Sequence, residues 1–160
     1  MDAAYNLARW LTHNDHDARD AVQDAYLRAW KFFQSFRGGD SRVWLLAIVR
    51  NTCFSWLKKQ RAHEPATPFD EEIHSGETAA PSPAELLARG ADGELLRAAL
   101  AELPAEFREA LVLRELEELS YKEIADVAGI PLGTVMSRLA RGRQLLAAIV
   151  VRRRQEEESP

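Results

Sequence analysis

Between Ser120 and Leu146 the chain reads SYKEIADVAGIPLGTVMSRLARGRQLL, and few folds accommodate this stretch. Ser120 with Glu123 forms a capping box, so a helix starts at Ser120. Gly129 suits the left-handed conformation that ends a helix. Pro131 stands where a second helix begins, and Pro is tolerated in a first turn. Ala125 is small where the two helices must approach, and Val135 points back between them as an apolar wedge. The spacing predicts a helix-turn-helix, the second helix being the one offered to a duplex. Thr134, Arg138 and Arg141 fall at i, i+4 and i+7 on one face, with Ser137 beside them. An ordinary antiparallel helix pair could share this spacing, and charge separates the two readings. From Val127 to Gln155 there are six arginines and no Asp or Glu. A solvated face usually mixes signs, whereas a face meeting phosphate need not.

Elsewhere apolar residues recur at i, i+3 and i+4, and alternating runs bounded by turn residues do not occur. The expected class is all-α. The formal charge of −4 argues against indiscriminate coating of nucleic acid, but it is unevenly spread: residues 1–61 carry +4, residues 62–104 carry −7 and residues 105–160 carry −1. The single cysteine, Cys53, cannot form an intramolecular disulfide and reads as a buried, inert thiol in a reducing cytoplasm. No apolar run reaches the length of a membrane span, and no signal peptide is visible. No nucleophile–base pair, metal cluster or phosphate loop suggests an enzyme, and no cofactor is implied. His13 and His16, three apart, lack a third ligand, and His63 and His74 lack any ligand pattern.

Residues 1–61 read as a three-helix domain. The first helix covers Ala3 to Thr12. The second, capped by Asn14 or Asp15, runs to about Phe33 with an apolar stripe of Ala18, Val22, Ala25, Tyr26, Ala29, Trp30 and Phe33. The paired glycines after Phe36 make a loop, and Asp40 or Ser41 caps a third helix to about Arg61. This helix carries more apolar surface than one stripe needs. It also carries Arg42, Arg50, Asn51, Lys58, Lys59 and Arg61 with no acid among them. Aromatics interleaved with cations suit single-stranded nucleic acid, with bases stacked on rings and cations along the backbone. Trp44, beside the glycine loop, leans to that role, whereas Trp30, Phe33, Phe54 and Trp56 are expected in the core.

Residues 62–82 read as an acidic flexible linker. Ser82 with Glu85 is another capping box, opening a helix to about Leu103 that Gly90 and Gly93 interrupt. Pro104 restarts a helix through Leu116. Residues 83–150 form a four-helix unit containing the helix-turn-helix, and residues 151–160 form a frayed, solvated tail.

Two separated stretches resemble one family. Asp17 to Trp30 and Trp44 to Asn51 resemble region 2 of bacterial RNA polymerase sigma factors of the extracytoplasmic-function (ECF) type. Leu103-Pro104 through Leu146, including Gly133-Thr134-Val135 and Ser137-Arg138-Leu139, resembles their region 4. The resemblance implies a cytoplasmic, non-catalytic initiation factor that binds core RNA polymerase and directs it to promoter DNA. Asp20, Gln23, Asp24 and Arg28 match the polymerase-binding surface. Trp44, Asn51 and the loop 36–41 match the pocket for a flipped −10 base, whose unstacking the pocket must repay. Arg42 lies with them, and Arg50, Lys58 and Lys59 would hold backbone phosphate. Thr134, Ser137, Arg138 and Arg141 match the face that reads the −35 duplex, where a bidentate arginine is worth about 1–3 kcal/mol of discrimination. Lys122 and Arg143 would contact phosphate. The linker resembles the segment that threads the polymerase near the RNA exit path. The chain departs from the pattern in a slightly shorter loop before Trp44 and in Leu46, where an aromatic is common. It starts almost at region 2, so a shortened first helix is expected. The family is commonly held inactive by an anti-sigma protein, and an exposed apolar face on helix 41–61 would suit that partner.

A conventional regulator would need a dimer and half-sites about one helical turn apart. No heptad or dimer face is evident, so a monomer is expected when free. A helical adaptor that does not bind DNA would tolerate loss of Arg138 and Arg141.

Overall fold

The computed structural model describes residues 2–61 and 80–159. The linker as far as residue 79, with His63 and His74, lies outside them. Every element among the described residues is helical.

Three helices form the front unit: α1 (Ala3–Thr12), α2 (Asp15–Lys31) and α3 (Ser41–Arg61). Asp2 caps α1 and Asn14 caps α2, each accepting from a backbone amide. Asp40 accepts from the Arg42 amide at 2.9 Å and starts α3. The three helices pack mutually around Leu7, Ala8, Leu11, Ala18, Ala25, Leu46, Val49 and Cys53. Burial, then the charge of Glu109, pushes the Cys53 thiol up to about 12, so the expected inert thiol is what forms.

The expected stripe on α2 is only half right. Ala18, Ala21, Val22 and Ala25 are buried, but Tyr26, Trp30 and Phe33 are exposed. The small residues lie on the side of α2 that packs on α1 and α3; Tyr26 donates to Asp2 Oδ2 at 2.6 Å from the rim, and Trp30 and Phe33 stay on the surface.

The rear unit comprises α4 (Pro83–Ala88), α5 (Gly93–Glu102), α6 (Ala105–Leu111), α7 (Tyr121–Ala128) and α8 (Leu132–Glu158). The break at Gly90 and Gly93 makes two helices, α4 and α5, of the expected first one. A π turn, Val112–Leu116, continues α6. The α7–α8 pair is the predicted helix-turn-helix. Both halves of its capping box form: the Glu123 amide donates to Ser120 Oγ at 3.1 Å, and the Ser120 amide donates to Glu123 Oε1 at 2.9 Å. Gly129 closes α7 at φ 67°. Val135 is fully buried between the helices. Replacing Ser120 by alanine should cost about 1 kcal/mol, read as a lower midpoint in chemical denaturation; an unchanged midpoint would show that packing alone fixes the start of α7.

The tail departs from expectation, for α8 runs unbroken for 27 residues to Glu158. Gly142 does not interrupt it. A Cβ there would stand 3.4 Å from the Leu111 side chain, ordinary van der Waals contact, so α8 packs against α6 at this point without requiring glycine. Near its end, Arg152 and Arg153 both donate to the carboxylate of Glu102, pinning α8 to the end of α5.

The two units pack together. Helix α3 lies against α7, and α1 against α6 and the π turn. Arg108, buried on α6, donates to the carbonyls of Leu103 at 2.7 Å and Ala101 at 3.2 Å in the rear unit and to Leu11 at 3.5 Å in the front unit. One guanidinium thus serves the carbonyl ends of α5 and α1, groups that helix geometry leaves without partners.

Candidate nucleic-acid interface

The basic side of α3 forms a shallow groove of about 460 Å³ lined by Arg50, Asn51, Phe54, Ser55, Leu57 and Lys58. Asn51, Lys58 and Lys59 are exposed, and Arg50 is half-buried. The Arg50 guanidinium lies 4.0 Å from the centroid of the Phe54 ring and donates from Nη1 to Asn51 Oδ1 at 3.3 Å. Phe54 and Trp56 are partly buried, Phe54 packing on the core. Trp44 is held at the first turn of α3 between Phe36, 5.2 Å away by ring centroids, and Phe33, at 6.5 Å in an edge-on contact. The glycine loop is thereby fixed beside Trp44 by an aromatic cluster.

Two of the α3 cations assigned to DNA are engaged by the rear unit. Arg42 Nη2 donates to Glu117 Oε2 at 2.9 Å and to the Glu117 carbonyl at 3.0 Å. Arg50 Nε donates to Glu109 Oε1 at 2.7 Å. Both acids belong to the rear unit, and Glu109 is only 1% exposed. Burial raises the Glu109 carboxyl above the usual range, against the pull of Arg50 and Arg138. Neither Glu109 Oε2 nor Arg138 Nη1 has a hydrogen-bond partner among the described residues. One buried carboxylate therefore faces an arginine from each of the two segments assigned to DNA.

The second helix of the helix-turn-helix is turned differently from expectation. Its buried side is Val135, Leu139, Gly142 and Leu146. At about 100° per residue the opposite side is Gly133, Ser137 and Ala140, and these are exposed. Thr134, Arg138 and Arg141 do share a face, but each is half-buried. Arg141 borders the exposed side and stacks over Phe107 with its guanidinium 5.5 Å from the ring centroid. Arg138 lies further round, toward Glu109. Arg143 pairs with Glu115 at 3.5 Å, and Lys122 is exposed. Sequence reasoning passes over Leu132 and Met136, which are large, apolar and exposed on the opposite flank from Arg138.

On α2, Asp20, Gln23, Asp24 and Arg28 are all exposed, with Arg28 and Asp24 paired at 3.4 Å. Leu27 and Trp30 stand beside them, Trp30 being 85% exposed. The surplus apolar surface expected on α3 is not exposed. Val43, Leu45, Ile48 and Phe54 pack on the core, and α7 covers α3 from the rear unit. An exposed apolar patch lies instead at the end of α2. Among the described residues no helix is long and apolar enough to cross a membrane.

Two family descriptions match the chain, Sigma-70 region 2 over residues 1–63 and Sigma-70, region 4 over residues 93–146. It is 33% identical over 147 residues to the RNA polymerase sigma factor YlaC of Bacillus subtilis, covering 91% of this chain and 84% of that protein. It is 34% identical over 137 residues to the ECF RNA polymerase sigma-E factor of Escherichia coli K12, covering 81% and 72%. It is 38% identical over 146 residues to the ECF RNA polymerase sigma factor SigE of Mycolicibacterium smegmatis, covering 91% of this chain and spanning 56% of that longer protein. Among solved structures, the sigma factor RpoE in complex with the anti-sigma factor NepR from Bartonella quintana superposes with a TM-score of 0.68 at 27% identity, over 92% of this chain and 89% of that one. CnrH in complex with the cytosolic domain of CnrY gives 0.63 at 26% identity, over 98% and 82%.

Proposed function

The chain belongs to the ECF sigma factors of the sigma-70 family, and from that membership we propose that it is a cytoplasmic initiation factor that binds core RNA polymerase and carries it to specific promoters. The observation that carries the reading is the presence on one chain of a basic, aromatic-edged groove on α3 and a helix-turn-helix with no acid in its second helix before Glu156. The first suits a displaced single strand and the second suits a duplex.

In this reading Asp20, Gln23, Asp24 and Arg28 present α2 to the polymerase. Trp44 and Asn51 take a −10 base, and Arg42, Arg50, Lys58 and Lys59 hold its backbone. Ser137 and Arg141 lead the −35 contacts, with Thr134 and Arg138 beside them and Lys122 and Arg143 toward phosphate. The closed packing engages Arg42 and Arg50, so each must give up its glutamate before it meets DNA. RpoE of Bartonella quintana is a sigma factor solved in complex with the anti-sigma factor NepR, and regulation of this chain by a protein of that kind is part of the proposal.

Co-elution with core polymerase on a sizing column tests the reading directly. A stoichiometric complex that initiates at defined promoters is expected. A stable homodimer that ignores polymerase would favour a conventional regulator. Within the complex, replacing Lys58 and Lys59 by alanine should flatten the salt dependence of binding to a pre-melted promoter by about 0.7 in log–log slope for each phosphate no longer neutralised. An unchanged slope would show that neither lysine meets phosphate.

A further inference from the structure

The first three turns of α8 hold an apolar stripe that neither the fold nor the arginine contacts use. Leu132, Met136 and Ala140 recur at i, i+4 and i+8, and all three are exposed, Leu132 at 49% and Met136 at 54%. An exposed leucine and methionine on adjacent turns are costly to hydrate. They stand on the helix whose N-terminal residues reach base edges in a helix-turn-helix complex. The surroundings name the occupant by charge. Arg141 and Arg143 lie near the stripe, Arg143 paired with Glu115 at 3.5 Å, Arg138 lies behind it toward Glu109, and α8 itself carries no acid before Glu156. That distribution complements the phosphate rails of a duplex rather than an acidic or apolar protein groove.

We propose that Met136, supported by Leu132 and Ala140, is a specificity-determining contact that reads thymine 5-methyl groups in the upstream duplex element. The major groove displays that methyl only at T, and apolar side chains are its natural reader. Met suits the task because its unbranched, polarisable side chain adapts to the position of a methyl group. Readout at this step would then be apolar, while Ser137 and Arg141 supply hydrogen bonds and charge on the neighbouring strip. The inference rests on the −35 reading above and assigns it a base preference.

The test uses holoenzyme assembled from core polymerase and the full chain. Upstream duplex is selected from a randomised library, and each selected thymine is then replaced by uracil, which removes only the methyl. At one or two positions the replacement should weaken binding about three- to five-fold, the scale of one buried methyl. In Met136→Ala holoenzyme the same replacement should have no effect. Met136 is exposed, so the variant keeps its core, and unchanged helical circular dichroism would verify this. If uracil matters nowhere, or matters equally in both proteins, the inference is overturned while the −35 reading stands. If Met136→Ala weakens polymerase binding and leaves base preference intact, the stripe is a protein contact and the inference fails. If the holoenzyme selects no upstream duplex at all, the −35 reading fails and takes the inference with it.

Discussion

Replacing Glu109 by alanine is expected to open the molecule. Glu109 is the most buried acid at the junction of the two units, and its Oε1 accepts from Arg50 Nε at 2.7 Å. Removing one partner of a buried ion pair typically costs about 3–5 kcal/mol, because the remaining charge is left desolvated. Here the low end applies. The Arg50 side chain is 17% exposed and regains water once the units part. About 3 kcal/mol is roughly a 150-fold shift in the closed–open equilibrium. Small-angle scattering should report a larger radius of gyration at unchanged helix content, and the α3 cations should bind single-stranded DNA more readily. A variant that stays compact would show that α3–α7 packing, not the carboxylate, holds the units together.

The conservative replacement separates charge from packing. Burial raises the Glu109 carboxyl, so a proton is held more tightly in the closed form than in an open one where the group meets water. The sign follows from linkage: this contribution to closure is full below the ordinary glutamate range and is lost as pH rises through the raised value. Closure should therefore weaken from acidic toward higher pH, and Glu109→Gln should abolish that slope while keeping an acceptor for Arg50. Persistence of the slope in the glutamine variant would assign the titration to another group.

The second large effect concerns the end of α2. Trp30 is nearly naked, and Leu27 beside it is exposed among Asp20, Gln23, Asp24 and Arg28. Interfaces concentrate their energy in a few aromatic and aliphatic anchors ringed by polar groups, each anchor worth about 2 kcal/mol or more. Replacing Leu27 and Trp30 together by alanine should weaken core polymerase binding by at least about 30-fold, measured by titration. Neither residue lies in the core, so the thermal midpoint should hardly move. Full affinity in the double variant would assign the patch to a different partner.

The caps at Ser120 and Gly129, the wedge at Val135 and the bounds of α3 are legible in the sequence because each depends on neighbours within a turn or two. The exposure of Trp30 and Phe33 is not, for a definite reason. Periodicity says which side of α2 is apolar, but not how far α1 and α3 extend along it. The contacts of Glu109 and Arg108 across the two units carry no local signal, for Arg50 and Leu11 lie 59 and 97 residues away. Met136 is a different case, because a signal for it exists. The apolar set Val135, Leu139 and Leu146, with Gly142 among them, implies which side of α8 is open, but the arginines at 138 and 141 are the louder feature and point to another face.

The pin at Glu102 acquires a meaning beyond local stability when the length of α8 is considered. Arg152 is 16 residues from Met136, about 24 Å along the axis at 1.5 Å per residue. In the proposed function the helix is a pointer, held at its far end by Glu102 and offering its tip to bases. A tilt of about 5° at the clamp would displace the tip by about 2 Å over that length, more than a methyl contact or a hydrogen bond tolerates. If the tip of α8 reads the upstream duplex as proposed, its aim depends partly on two arginines at the far end of the helix, which bind Glu102.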